Sequence, residues 1–385
     1  MTFARNATLA PALAVALFAL GAATEARSGP IDTLQPGQWY EVPNSRMDQV
    51  LPSPIPPGYS GPKAVMEAWS GGAYDTRRDR LIVWGGGHGD YGGNEIYTFD
   101  MNTLQWSRVW GPSAGIPDPG ATCVDTYSDG NPVSRHTYDG VEYLPSQDRF
   151  WINGGSRYCG SGSAGRDTWA FDFAGSRWER KADLPVCDGC AYLEAVSGYD
   201  PTTGHVFLAE AGQRLAEYDP AGDSWTWRGD NAVGSSKSGV FDWKRRKFLA
   251  LGSGTVYMFD LSQSGTSTRQ TLSTTGDTGI LSGRYPGLVY DPVSDRIVAW
   301  NGGADVYTLN LDTLVWTRHG TTGSVVPTAA QSAGTYGRFQ YVPSKNVFVA
   351  VNAIDGDVYI YRLSPGGGAP PDSIPPSPPG SVRAR

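Results

Sequence analysis

Residues 74–106 read YDTRRDRLIVWGGGHGDYGGNEIYTFDMNTLQW, and their skeleton decides how the rest of the chain is read. A Tyr-Asp turn leads into an apolar run ending in glycines; a loop, a run ending in Phe-Asp and a short run carrying Trp106 follow. The skeleton recurs. Its turns stand at Tyr74, Tyr143, Tyr199, Phe241, Tyr290 and Tyr341, as YDTRRDR, YLPSQDR, YDPTTGH, FDWKRRK, YDPVSDR and YVPSKNV. Each joins two runs rich in Val, Ile, Leu, Phe and Tyr, the pattern of a hairpin with a Pro/Asp/Ser/Gly connection. The third runs, such as NEIYTFD and DVYTLN, alternate with period two. A fourth strand carries Trp106, Trp178, Trp225 and Trp316 and is degenerate after Asp260. A repeat that reads as strands cannot bury its faces alone and must stack on its neighbours.

With Gly-Gly after the second strand, an aromatic near the end of the third and Trp on the fourth, the unit resembles the kelch repeat. The resemblance runs from residue 38 to 362, and its weakest copy begins near Lys237. It implies an all-β fold, a single β-propeller of four-stranded blades. The physical reading agrees: paired glycines let a chain turn tightly at a strand end, and bulky aromatics pack sheet against sheet. The sixth copy lacks a Trp strand, because soon after Tyr361 the chain becomes PGGGAPPDSIPPSPPG, which no central strand accommodates. GQWYEVPNS around Trp39 has the missing strand's character, and an N-terminal strand closing the last blade would remove the free edges. Six blades are expected, with seven the alternative. Gly111 to Ser134 is the only gap long enough to hide another, and its Pro, Gly and Asp content reads as a loop.

Composition bounds the function. Charged residues make up 18% of the chain and the net charge is −7, which argues against nucleic acid as a partner because phosphate binding needs a basic field. Residues 1–26 read as a signal peptide: Arg5 is the positive start, Leu9 to Ala22 the apolar core, and Ala23 to Ala26 the small residues near a cleavage site. That core is too short for a membrane span. Export to periplasm or medium is expected, with the propeller over 27–364 and a Pro-rich flexible tail over 365–385. The four cysteines are expected to pair. Cys187 and Cys190 could close a local loop, leaving Cys123 for Cys159, but three connectivities are open. A monomer without cofactor or metal is expected; no phosphate loop, zinc signature or serine elbow is present.

In such a blade the first-to-second hairpins lie on one rim, and the second-to-third loops and the entries into the first strands on the other. The turns at Tyr74 and its equivalents make the plain rim. Counting back five residues from each turn aromatic gives Trp69, Tyr138, Glu194, Ser236, Tyr285 and Tyr336. Counting back seven gives Glu67, His136 and Tyr192, then three glycines. Positions two apart on a strand share a face, so both sets would line the loop-rich mouth of the channel. Arg135, Arg284 and Arg338 lie close to the same entries.

His88 and His136 both fall on this rim, whereas His205 and His319 do not. In WGGGHGDYGGNE, His88, Asp90, Tyr91 and Asn94 offer donors, acceptors and a stacking ring on a backbone that glycines open to a ligand; long loops also need such glycines to turn. In SRHTYDG, Arg135 suits an anion clamp and His136 or Tyr138 proton transfer, against the plainer reading of a core aromatic and an inter-blade ion pair. Glu194 is costly unless it pairs with Arg135 or Arg284 or faces a ligand.

These residue types suit a binding module for carbohydrate or another small polar ligand, since sugars stack on aromatics and bond to charged groups. A second reading is a polysaccharide lyase, by analogy with propeller-fold lyases. Arg135 or Arg338 would neutralise a uronate carboxylate, while His136, His88 or a tyrosine would abstract the C5 proton and protonate the leaving oxygen. A copper-radical oxidase, similar in its kelch ring, would need a Cys-linked Tyr and a His-bearing domain that the chain lacks. Glycoside hydrolysis would call on Glu67 and Glu194. A protein-interaction platform on the same rim is the third reading.

Overall fold

Four of the six turns share an Asp cap, and Leu144 and Val342 stand in its place in the other two. Asp75 accepts the backbone N–H groups of Arg77 and Arg78 at 3.0 and 3.1 Å, and Asp200, Asp242 and Asp291 accept equivalent bonds. A left-handed residue closes the turn: Asp79, Asp148, Arg246, Asp295 and Asn346 have φ between 48° and 56°. The turn tyrosine then donates its hydroxyl to the residue five positions on, Tyr143 to Asp148 at 2.8 Å, Tyr290 to Asp295 at 2.8 Å and Tyr341 to Asn346 at 3.1 Å. The recurring Tyr–Asp spacing is therefore a hydrogen-bond spacing. The ring packs between sheets while its hydroxyl fixes the hairpin.

The structure, a computed structural model, describes residues 1, 29–187, 193–212, 214–229 and 231–366. The segment read as an export signal, Cys190, Tyr192 and the tail from residue 367 lie outside the described residues. Among the described residues the strands form seven sheets, five of four strands, one of five and one of three. Six follow the repeats, with inner strands Gly72–Asp75, Val141–Leu144, Val196–Asp200, Ser238–Asp242, Gly287–Asp291 and Phe339–Val342. We call these sheets one to six.

In sheet one the strands Gly72–Asp75, Arg80–Val83, Ile96–Asp100 and Gln105–Trp110 lie side by side in chain order. Sheet six takes its outer strand from the N-terminus, as its sequence requires: Gln38–Val42 pairs antiparallel with Val358–Arg362, Trp39 opposite Tyr361. In sheet four the degenerate strand shrinks to Gln270–Thr271. Sheet five gains a short fifth strand, Thr275–Gly276, parallel to Val315 and Trp316. The small three-stranded sheet joins Arg135–His136, Ser156–Arg157 and Ser163–Ala164.

Neighbouring inner strands touch in chain order, and the inner strand of sheet six touches that of sheet one. At that junction a Cβ on Gly337 would lie 1.9 Å from the carbonyl oxygen of Gly72, so only glycine permits the approach. The architecture is all-β and propeller-like.

Aromatics fill the space between sheets. Trp84 meets Trp178 at 5.5 Å between centroids and Trp39 meets Trp300 at 5.4 Å. Several polar tips are satisfied, Trp84 donating to the carbonyl of Asn94 at 3.0 Å, Trp39 to that of Ala304 at 2.9 Å and Trp106 to that of Ser45 at 2.7 Å, whereas the buried Trp178 N–H has no partner among the described residues. Burying one large apolar side chain contributes about 1.5–3 kcal/mol, so these contacts outweigh any single surface pair.

The turn rim is less plain than its sequence suggests, because arginines stitch neighbouring sheets there. Arg78 grips Asp148 of the next sheet through both terminal nitrogens, at 2.6 and 2.5 Å, and also bonds Asp75. Arg245 does the same with Asp295, at 2.7 and 2.8 Å, and Arg246 reaches back to Asp200 at 2.7 Å. On the opposite side the disulfide Cys123–Cys159 ties the 111–134 loop to the small sheet. Cys187 is also disulfide-bonded. A disulfide suits an oxidising compartment. Among the described residues no helix is long and apolar enough to cross a membrane.

Candidate functional site

The six positions five residues before the turn aromatics share one backbone state. Trp69, Tyr138, Glu194, Ser236, Tyr285 and Tyr336 are all left-handed, with φ between 44° and 65°. A side chain other than glycine in that region costs on the order of 1–3 kcal/mol, and such strain persists only where the surroundings enforce it. Here the surroundings are the neighbouring members of the ring. Tyr138 N–H donates to the carbonyl of Trp69 at 2.7 Å, and Tyr336 N–H to that of Tyr285 at 3.3 Å. The Glu194 carboxylate receives the Ser236 N–H at 2.6 Å.

The side chains meet in the middle. Tyr336 stacks obliquely on Tyr285 at 5.0 Å and meets Tyr138 edge-on at 6.4 Å. Sheets two and six both flank sheet one, so the Tyr138–Tyr336 contact passes over the entry to sheet one. Burial raises the phenol pKa of Tyr138 and of Tyr336. Both phenols therefore hold their protons at neutral pH.

A polar network borders these rings. Tyr285 donates its hydroxyl to Glu194 at 3.2 Å, and Arg284 bonds the hydroxyls of Ser236 at 3.0 Å and Tyr285 at 3.2 Å. The exposed Arg284 guanidinium lies 5.1 Å from the Tyr285 ring centroid. Glu194 makes no ion pair with Arg135 or Arg284, so the expected pairing is replaced by neutral donors.

On the other side of Tyr138 the rings continue. His136 lies 6.2 Å from Tyr138, 5.2 Å from Trp69 and 5.3 Å from His88, which meets it edge-on. His136 is itself buried and bonds Asp90 at 2.9 Å. Its pKa is lowered by burial, which the bond to Asp90 only partly offsets. Burial raises the Asp90 pKa, but the bonds from His136 and Ser60 outweigh it and hold the carboxyl below the usual range. His136 is thus a buried member of the cluster, while His88 is the exposed imidazole.

Trp69, 38% exposed, is the open platform of the ring. Tyr59, 72% exposed, extends the aromatic surface beyond His88: its ring would lie 3.2 Å from a Cβ on Gly89. The glycines before His88 have a specific reason, since a Cβ on Gly87 would lie 2.2 Å from the Cα of Arg135. Tyr59 carries no sequence signal; it lies outside the repeat in a Pro-rich stretch.

Several residues expected at the mouth serve the scaffold instead. Arg135 is fully buried and grips Asp167 through both terminal nitrogens, at 3.1 and 2.9 Å, with a third bond to the carbonyl of Gly154. Arg338 is equally buried, bonding the carbonyls of Ser70, Val351 and Gly334, and desolvation lowers its pKa to about 10. Neither guanidinium is free to clamp an anion. Tyr91 is buried with its hydroxyl on Glu95 at 2.8 Å, and Asn94 is buried between Ser113 and the carbonyl of Pro132. Glu67 ends the short helix Ala64–Glu67 and pairs with Lys63 at 3.7 Å.

The structure thus brings together Trp69, His88, Asp90, His136, Tyr138, Glu194, Arg284, Tyr285 and Tyr336, and withdraws Arg135, Arg338, Tyr91 and Asn94. Among the described residues no group of three or more His, Cys, Asp or Glu side chains is placed to hold a metal ion.

No family model and no curated protein matches this chain. Among solved structures it is similar to a structural genomics protein of unknown function from Bacteroides thetaiotaomicron VPI-5482, at 9% identity and a TM-score of 0.48, over 84% of this chain and 75% of that one.

Proposed function

We propose that the protein is an exported, six-bladed, kelch-like propeller that binds carbohydrate at the loop-rich mouth. The observation that carries this reading is the unbroken series of rings from His88 through His136, Tyr138 and Tyr336 to Tyr285, with Trp69 standing open beside it. A sugar offers C–H faces to such rings and hydroxyls to charged neighbours, and Arg284, Glu194 and His88 supply the second kind of contact. Six blades and ring closure are supported by six repeat-derived sheets whose inner strands touch in order, last to first. The kelch likeness rests on the repeat itself. Export is supported by the signal-like residues 1–26 and by the disulfide.

The test is a glycan panel probed with the purified chain and with Trp69→Ala. The expected result is binding to one sugar class that Trp69→Ala weakens at least tenfold. Equal binding by the variant would sink the mouth as the site.

A second reading, acid–base cleavage of a uronate glycan, is favoured by the exposed His88 set against the His136–Asp90 pair. Its carboxylate clamp would be Arg284 and not Arg135 or Arg338. A rise in ultraviolet absorbance from unsaturated ends during incubation, lost in His88→Ala, would support it; no rise with any uronate polymer would remove it.

A further inference from the structure

The other end of the channel holds a cavity of about 220 Å³ that the mouth does not explain, and inner strands of all six sheets contribute to its wall. Its entrance is the ring two residues after the turn aromatics: Thr76, Pro145, Pro201, Trp243, Pro292 and Pro343. Most of the lining is apolar or aromatic. Among the described residues the only charged ones on it are two carboxylates, Asp139 and Glu142, and no Lys, Arg or His lines it.

Neither carboxylate has a cationic partner. Asp139 accepts the backbone N–H of Gly239 at 2.7 Å. Glu142 meets the Ser197 hydroxyl at 2.8 Å, a hydroxyl shared with the carbonyl of Asp139 at 2.5 Å, and among the described residues its second oxygen takes no hydrogen bond. Glu142 is walled in by protein yet keeps surface open to the cavity. It also breaks the pattern of the repeat, because the equivalent residues are Ala73, Gly198, Val240, Val289 and Gln340. A carboxylate facing an apolar enclosure is costly when charged and unpaired. A cation in the cavity would offset that cost, and two carboxylates with an apolar wall suit an organic ammonium better than a metal ion, which needs more oxygen ligands.

We propose that the turn-rim end of the channel is a binding site for a small organic cation, a primary ammonium on a short apolar group, with Glu142 as its counter-charge and Asp139 beside it. The site is separate from the mouth and does not depend on the carbohydrate reading. Burial raises the pKa of Asp139 to about 7 and that of Glu142 to about 8, so below pH 7 both hold protons when the cavity has no cation. The other titratable groups facing the pair are phenols: Tyr74, Tyr143, Tyr199, Tyr290 and Tyr341 on the wall, and Tyr336 toward the mouth. Uptake of a cation would therefore expel protons, and affinity would rise with pH.

The probe is n-butylammonium, with uncharged 1-butanol as its match in size, titrated calorimetrically into the full chain at pH 6 and pH 9. The expected result is one-to-one binding of butylammonium at least tenfold tighter at pH 9 than at pH 6, and at least tenfold tighter than 1-butanol at pH 9. Glu142→Gln, which keeps the shape of the side chain, should lose tenfold or more, whereas Trp69→Ala should bind as the wild type does. Equal binding of 1-butanol, no uptake of butylammonium, or full affinity in Glu142→Gln would overturn the proposal. Loss of uptake in Trp69→Ala would move the cation to the mouth and overturn it equally.

Discussion

At the loop-rich mouth the six equivalent positions carry Trp69, Tyr138, Glu194, Ser236, Tyr285 and Tyr336, while at the turn rim they carry Thr76, Pro145, Pro201, Trp243, Pro292 and Pro343. The mouth is a strained set of left-handed residues, five of them large, in which Tyr138 and Tyr336 meet edge-on. The turn rim is a frame of prolines backed by inter-sheet arginines, with a cavity behind it. Each end also treats its carboxylates differently. Glu194 takes two hydrogen bonds on one oxygen, from the Ser236 N–H and the Tyr285 hydroxyl, whereas Glu142 meets only the Ser197 hydroxyl. Rigidity at one end and variety at the other come from the same repeat, because turn chemistry is dictated locally and strand entries are not.

The largest effect should come from an arginine that looks functional and is not. Arg135→Ala leaves Asp167 buried without its partner, a type of loss that costs about 3–5 kcal/mol. Arg284→Ala removes an exposed side chain and should shift stability by less than about 0.5 kcal/mol. Urea unfolding of the two variants distinguishes them. Similar midpoints would show that burial does not separate the two arginines, and the division of the mouth into scaffold and site would fall.

Next comes a pH effect that separates the two ends. In the folded chain Asp139 and Glu142 keep protons up to about pH 7 and 8, whereas unfolded they release them near pH 4. The folded state binds more protons over that window, so stability is greatest at its acid end and falls as pH rises through 7 and 8. Discounted for the solvent that the cavity admits, the fall should be on the order of 2 kcal/mol, and Glu142→Gln should remove part of it. The opposite sign holds for Asp148 and Asp167. Hydrogen bonds from Arg78 hold Asp148 near 2; at Asp167 burial raises the pKa, but Arg135 outweighs it and the carboxyl also sits near 2. Their stabilisation is present above pH 4 and lost as pH falls toward 2. Thermal unfolding from pH 2 to pH 9 should therefore peak between pH 4 and 6. A plateau up to pH 9, unchanged by Glu142→Gln, would mean that the cavity carboxylates are not held protonated.

The turns and strands were legible because their signals are local: a tyrosine hydroxyl reaches Asp or Asn five residues on, and strand faces alternate by two. The N-terminal strand was legible for a topological reason, since the last copy lacked a fourth strand. The mouth was legible only as a register. Counting back five residues found the left-handed ring, yet gave no sign of which polar neighbours the core would claim. Arg135 is claimed by Asp167, 32 residues on, and Arg338 by the carbonyl of Ser70, 268 residues away. Such partners belong to tertiary packing, and residue type does not announce them. Glu142 could have been found from the same register, as the one carboxylate in a row of small, apolar or amide residues.

The smallest effect bears on how deep the mouth reaches. Tyr285 donates to Glu194, while the buried Tyr336 hydroxyl has no protein partner. Tyr285→Phe should therefore cost about 0.5–1.5 kcal/mol, whereas Tyr336→Phe should be neutral or stabilising by up to about 1 kcal/mol, because it removes a polar group that burial leaves unpaired. Denaturant unfolding checks the difference, and a cost in Tyr336→Phe equal to that in Tyr285→Phe would mean that the hydroxyl is satisfied after all. Ligand binding by the same variant then measures depth. Tyr336 is where the contacts from Tyr138 and Tyr285 converge, so unchanged affinity in Tyr336→Phe keeps the ligand above the tyrosines, at Trp69 and Arg284. Weakened affinity carries it down among them, toward the end of the channel where Asp139 and Glu142 stand.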